Sequence, residues 1–246
     1  MTMWTKSPYR LPFPIDFFVL LPGLLFIIMG SNYVGFASIF LDEFVPRDIP
    51  ERKFISTLKA LEAELVKIQR VGFEEIDRFC IRTKFDVIVF IFKHQHESIA
   101  LTLVSYVGRT THATFSTQFN DEALVSTSSL PISNFPRPST SYLQTLGNID
   151  YYSLLEAHKD AIEIFVDHGY KPIDMFDEPW RSRFLRLERY FIGYIISIPF
   201  WTLKALVWSY TKPGKKYQVT LREQLVRQII TIPRLDDWYC SKSNDF

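Results

Sequence analysis

Cysteine is scarce in this chain. Two residues of 246, Cys80 and Cys240, are too few for a disulfide framework or a Cys-rich zinc site. The nine glycines never fall as Gly-x-Gly, which excludes the dinucleotide-binding fingerprint. Gly-x-x-x-x-Gly-Lys, His-Glu-x-x-His and Gly-x-Ser-x-Gly are missing too, and with them the common phosphate, zinc-protease and esterase signatures. Ser56-x-x-Lys59 and Ser209-x-x-Lys212 match a β-lactamase fragment, but its companion motifs are absent, so both are chance. No charge of one sign dominates: 28 Lys and Arg stand against 27 Asp and Glu, a net +1. That excludes a general nucleic-acid binder. The sequence indicates no cofactor and names no reaction.

What is present is apolar and aromatic. Hydrophobic residues make up 47% of the chain and aromatics 16%. From Phe17 to Leu41 no residue is charged. Those 25 residues would reach about 37 Å as a helix, enough for a hydrocarbon core of about 30 Å. Trp4, Tyr9 and Tyr33 suit the headgroup levels. A cleaved signal peptide is the rival reading, since Lys6 and Arg10 make a basic start and Gly35-Phe36-Ala37 resembles a cleavage site. Pro12, Pro14 and Asp16, and apolar residues beyond Ala37, favour an uncleaved anchor.

A second apolar stretch runs from Tyr190 to Tyr210. It is uncharged as far as Leu203, and Lys204 follows. Such a stretch either spans the bilayer or lies in its plane. Before it, residues 176–189 form a basic amphipathic helix. Trp180, Phe184, Leu187 and Phe191 share one face, and Arg183, Arg186 and Arg189 recur at three-residue steps beside Arg181. Together with Lys215 and Lys216 of the C-terminal tail, 211–246, these arginines are the candidate contacts to anionic headgroups.

Between the apolar stretches, a linker at 42–53 leads to an α+β domain at 54–175. Phe54, Leu58, Leu61, Leu65 and Ile68 make one helical face, ended by Gly72. Then the period turns to that of strands: Asp86 to Phe92, Ser98 to Val107, Thr110 to Phe119 and Ala123 to Thr127. A further segment, Phe73 to Thr83, reads as strand or helix. Short joints predict an antiparallel meander of four or five strands packed with two helices. Ser126 to Ser141, rich in Ser, Thr and Pro, reads as a loop. The second helix begins near Asp150 or Ser153, presents Leu154, His158, Ala161, Ile162 and Phe165 inward, and stops at Gly169. Thr220 to Glu223 is a capping box before a short C-terminal helix.

Candidate chemistry is sparse. His94 and His96, two apart, would face one ion from a strand, with His112 or His158 as a third group; a polar turn explains them without chemistry. His158 is the candidate general base, against the plainer reading of a hydrogen-bonded core histidine. Cys80 reads as a buried thiol, and Glu74, Glu75 and Asp77 as a solvated face. The expected function is a membrane-anchored, non-catalytic interaction or sensing domain, with the lipid bilayer and a membrane protein as partners. The alternatives are a membrane-bound, metal-dependent hydrolase and an accessory subunit of a transporter, with Lys204 paired across chains. The expected setting is a bacterial inner membrane with the central domain in the cytoplasm, where the inner leaflet is more anionic and Cys80 stays reduced.

Overall fold

The computed structural model describes residues 46–82, 86–106, 111–130, 137–147, 149–199, 204 and 217–234. The first apolar run, most of the second beyond Pro199, and Lys215 and Lys216 fall outside the described residues. Among the described residues, no helix is long and apolar enough to cross a membrane.

Helix α1 runs from Glu51 to Arg70. Its stripe is the expected one: Phe54, Leu61 and Ile68 are buried, and Leu58 and Leu65 pack beside them. Gly72 ends the turn at φ +94°, a left-handed conformation, and a Cβ there would come within 3.2 Å of His94 Nε2. The conformation favours glycine, and any side chain there would also have to push the His94 ring aside. The chain then enters the sheet through β2 (Phe73–Arg82), followed by β3 (Asp86–His94), β4 (Ala100–Tyr106) and β5 (Thr111–Gln118). A two-residue strand, β1 (Pro46–Arg47), pairs with Cys80 and Ile81 of β2. The segment left open between helix and strand is therefore strand from Phe73 to Arg82, with a bulge between Glu75 and Asp77, and Thr83 lies outside the described residues.

The sheet has seven strands in the order β1 to β7. The expected meander holds through β6 (Leu124–Ser128), each neighbour antiparallel. It fails at the last pair. Ser141–Thr145 forms β7 and lies parallel to β6, with Leu124 opposite Ser141 and Ser128 opposite Thr145. The sheet is thus mixed, and the predicted loop of 126–141 begins too early: Ser126, Thr127 and Ser128 are buried strand residues. Their hydroxyls are tolerated because they are paired. Thr114 Oγ1 meets Ser128 Oγ at 2.9 Å, and Ser116 Oγ meets Ser126 Oγ at 3.3 Å.

Helix α2 (Tyr151–Asp167) covers one face of the sheet beside α1. Asp150 is its cap, accepting from the Ser153 backbone N–H at 3.0 Å. Leu154, Leu155, Ala161 and Phe165 are buried against Phe90, Phe92, Phe115, Phe119 and Val125. The opposite face carries Phe79, Ile81, Val89 and Ile91, which meet Met175 and Trp180. Trp180 opens helix α3, Trp180–Ser197. One helix runs through the expected boundary between 189 and 190, because nothing between these positions breaks it. Pro199 does, by disfavouring helical geometry in the residue before it; Ile198 is extended at ψ 119°. The short helix α4 (Leu221–Val226) is capped by Thr220, whose side chain accepts from Glu223 N at 3.3 Å.

Candidate functional site

The sequence-derived candidates fall in three separate places. His158 sits at the centre of α2, fully buried between helix and sheet. Its Nδ1 lies 2.8 Å from Thr127 Oγ1 and its Nε2 3.0 Å from Thr117 Oγ1. Gln144 donates from Nε2 to Thr127 Oγ1 at 2.6 Å and to the Ala157 carbonyl at 2.8 Å. Thr117 lies 3.3 Å from the Ser98 carbonyl. One assignment of protons satisfies every group: Thr127 donates to Nδ1, Nε2–H donates to Thr117, and Thr117 donates to Ser98. Burial drives the imidazole pKa down to about 3, so the ring in the folded protein is neutral around neutral pH. Both nitrogens are occupied and the ring does not reach solvent. It is placed as a core connector, not as a base facing a cleft.

The network continues into the C-terminal segment. Gln144 Oε1 accepts from Leu221 N at 2.7 Å, and Gln224 Nε2 donates to the Leu143 carbonyl at 2.9 Å. Sequence reading missed Thr117, Thr127, Gln144 and Gln224, since their types at those positions look like ordinary strand and surface residues. Thr117 and Thr127 are identified by their bonds to His158, Gln144 by its bond to Thr127, and Gln224 by its bond to the Leu143 carbonyl beside Gln144.

His94 and His96 lie at the β3–β4 turn. Their rings are 6.2 Å apart and nearly perpendicular, at 82°. His94 is buried, holds an edge contact to Phe73 at 4.9 Å, and has its Nδ1 4.0 Å from Glu97 Oε2. Burial keeps its pKa below the usual histidine value. Glu97 is held by Lys159 of α2 at 2.7 Å. His158 lies in the buried network and does not join these two. No group of three or more His, Cys, Asp or Glu side chains among the described residues could hold a metal ion.

The third place is the junction of α3 with the sheet. Arg181 donates from Nε and Nη2 to the Asp77 carboxylate at 2.8 and 2.9 Å, from Nη1 to Asp48 at 2.9 Å, and from Nη2 to the Arg78 carbonyl at 3.1 Å. Arg183, with its side chain 7% exposed, binds Glu178 at 2.8 Å, Asp177 at 2.6 Å and Gln118 of β5 at 2.9 Å. Arg186 pairs with Glu178, whose pKa that pairing lowers. The stripe expected to face headgroups is therefore divided. Arg181 and Arg183 point inward and fasten the helix, while Arg186, Arg189 and Tyr190 are exposed on its outer side. Asp77, expected on a solvated face, is a clamp residue. Glu75 binds Arg78 at 2.5 Å, and Glu74 is exposed.

A shallow hollow of about 510 Å³ lies between the end of α1, the start of β2 and the β3–β4 turn, lined by Gln69, Phe73, Glu74, Glu75, Arg78 and Gln95. It is open, and no reactive group converges on it. Comparison of the chain with protein families, with curated proteins and with solved structures finds no match.

Proposed function

We propose that this chain is a membrane-tethered, non-catalytic interaction or sensing module whose sheet domain is held at a fixed attitude to the lipid. The observation that carries this reading is α3. Its first turns are fastened to β2 and β5 by Arg181 and Arg183, and the same unbroken helix runs into the second apolar stretch. A helix riveted at one end and lipid-seeking at the other transmits position. Tethering concentrates the domain near membrane partners and needs no active site. The partners in this reading are the bilayer and a membrane protein, with the domain on the cytoplasmic side.

The test is purification of the full chain in mild detergent. A second protein recovered in stoichiometric amount supports the reading, and a clean monomer overturns it. Bound metal measured on the same sample separates the hydrolase alternative: a stoichiometric metal lost on joint His94→Ala and His96→Ala substitution would replace the interaction reading by the enzymatic one.

A further inference from the structure

The C-terminal segment lies on the β7 edge of the sheet, and its seat differs in kind from the rest of the core. Thr145 of β7 gives both its backbone N–H and its hydroxyl to the Tyr217 carbonyl, at 2.7 and 3.0 Å. Gln224 of α4 donates to the Leu143 carbonyl at 2.9 Å and to the Val219 carbonyl at 3.1 Å. Leu221 and Ile232 are buried in one cluster with Tyr142, Phe165 and Tyr170. Arg222 adds an exposed pair with Asp160 at 2.5 Å, of a kind that contributes little. The seat also has a defect: Gln224 Oε1 is buried and has no hydrogen-bond partner among the described residues. A buried acceptor left unpaired weakens the closed state. A segment with few apolar anchors, polar contacts at its centre and one unpaired group belongs to the low-stability end of a structure, where parts open without global unfolding.

The contact at the head of α4 is directional. Thr127 has one hydroxyl hydrogen and gives it to His158 Nδ1, so toward Gln144 it only accepts. The Gln144 amide nitrogen is thereby turned to Thr127 and to the Ala157 carbonyl. Its oxygen is left facing Leu221 N, an N–H at the start of a helix with no partner inside that helix. Turned the other way, the amide would set oxygen against the Ala157 carbonyl and N–H against the N–H of Leu221. The neutral His158 ring, through Thr127, thus fixes which end of Gln144 meets the C-terminal segment.

We infer that residues 217–232 form a strap that opens as one unit while the sheet stays folded, and that the chain His158–Thr127–Gln144 is its latch. Opening frees the outward groups of β7, the Thr145 N–H and the Leu143 carbonyl. All these contacts lie within the domain, so the strap stands or falls independently of the membrane tether.

Hydrogen exchange of the full chain near neutral pH, followed peptide by peptide by mass spectrometry, is the test. In the wild type, 217–232 should exchange about tenfold faster than β3 or more, since the central strand waits for global unfolding. Equal protection of the two overturns the strap. Thr127→Val keeps the shape of the side chain and removes the hydroxyl. It should speed exchange of the strap by about a further tenfold, and Thr127→Ser, which restores the hydroxyl, should bring it back toward the wild-type rate. A Thr127→Val protein whose β3 exchanges faster while the strap does not makes the hydroxyl an internal bond of the sheet domain and overturns the latch. Thr127→Ser behaving as Thr127→Val overturns it as well. Where Thr127→Val does not fold, Gln144→Met keeps the length of the side chain and removes both amide contacts. It should loosen the strap to the same degree, and an unchanged strap overturns the latch.

Discussion

The two faces of the sheet are held by different physics. Toward α1 and α2 the contact is close-packed and largely apolar, with Phe73, Phe90, Phe92 and Phe115 fully or almost fully buried and one neutral hydrogen-bonded chain running through it. Toward α3 an apolar centre of Phe79, Ile91 and Trp180 is rimmed by the arginine clamps. Apolar burial contributes in proportion to area and is indifferent to salt. Charge-assisted bonds are directional and fix an angle, at a net gain that desolvation reduces. The first face makes the domain stable; the second sets where α3 points.

Substitutions should separate these roles, the largest effect first. Phe90→Ala empties a fully buried site and is expected to cost about 3–5 kcal/mol in urea unfolding, at low and high salt alike. The neutral chain makes that same face sensitive to acid. His158 has a folded pKa near 3, below its unfolded value of about 6.5. The unfolded state therefore binds more protons between those values. The stability contributed by the neutral ring is complete above about pH 6.5 and declines as pH falls, by up to about 1.4 kcal/mol per unit. Unfolding midpoints followed from pH 7 to pH 4.5 should show this slope in the wild type. His158→Asn should flatten it, and equal slopes in the two proteins would remove His158 as its source.

On the other face, Arg183→Ala leaves Gln118 and Glu178 without a shared donor. It should cost about 1–3 kcal/mol, with a loss that shrinks in high salt. Arg181→Ala is expected to cost less, about 1 kcal/mol, because a third of the side chain is exposed. Its readout is orientation: a spin-label pair on Ser182 and Glu74 should broaden in distance, with a smaller shift of the unfolding midpoint than in Arg183→Ala. A broadened pair in Phe90→Ala and an unchanged one in Arg181→Ala would reverse the assignment of roles.

Sequence periodicity located α1, β3, β4, β5 and α2, because each carries a strong apolar repeat and a clear stop. It failed where polar residues are structural. Ser126 and Thr127 fit both the fourth strand and the loop, and Ser128 reads as loop, yet their hydroxyls bond within the sheet and the buried network. Strand β7 was hidden for a related reason: Ser141 and Gln144 interrupt its pattern, and the inward Gln144 is satisfied by groups from α2 and α4. A parallel pairing has no local turn signal to announce it. The histidine at 158 was legible as a core position, but its partners come from strands 31 and 41 residues away in sequence, a separation that no local pattern encodes.

Strand order has a consequence for the newborn chain. Each strand pairs with the one made just before it, so from β2 to β6 the sheet can close progressively during synthesis, with short connections and little entropy to overcome at each step. The last seal is different. The outer edge of β7 waits for Tyr217 and Gln224, more than seventy residues later. Between those two moments the ribosome releases the whole second apolar stretch. The second apolar stretch thus emerges while its domain is still unlatched, so in the membrane-tethered reading proposed above any capture by lipid would come before the final closure of the fold.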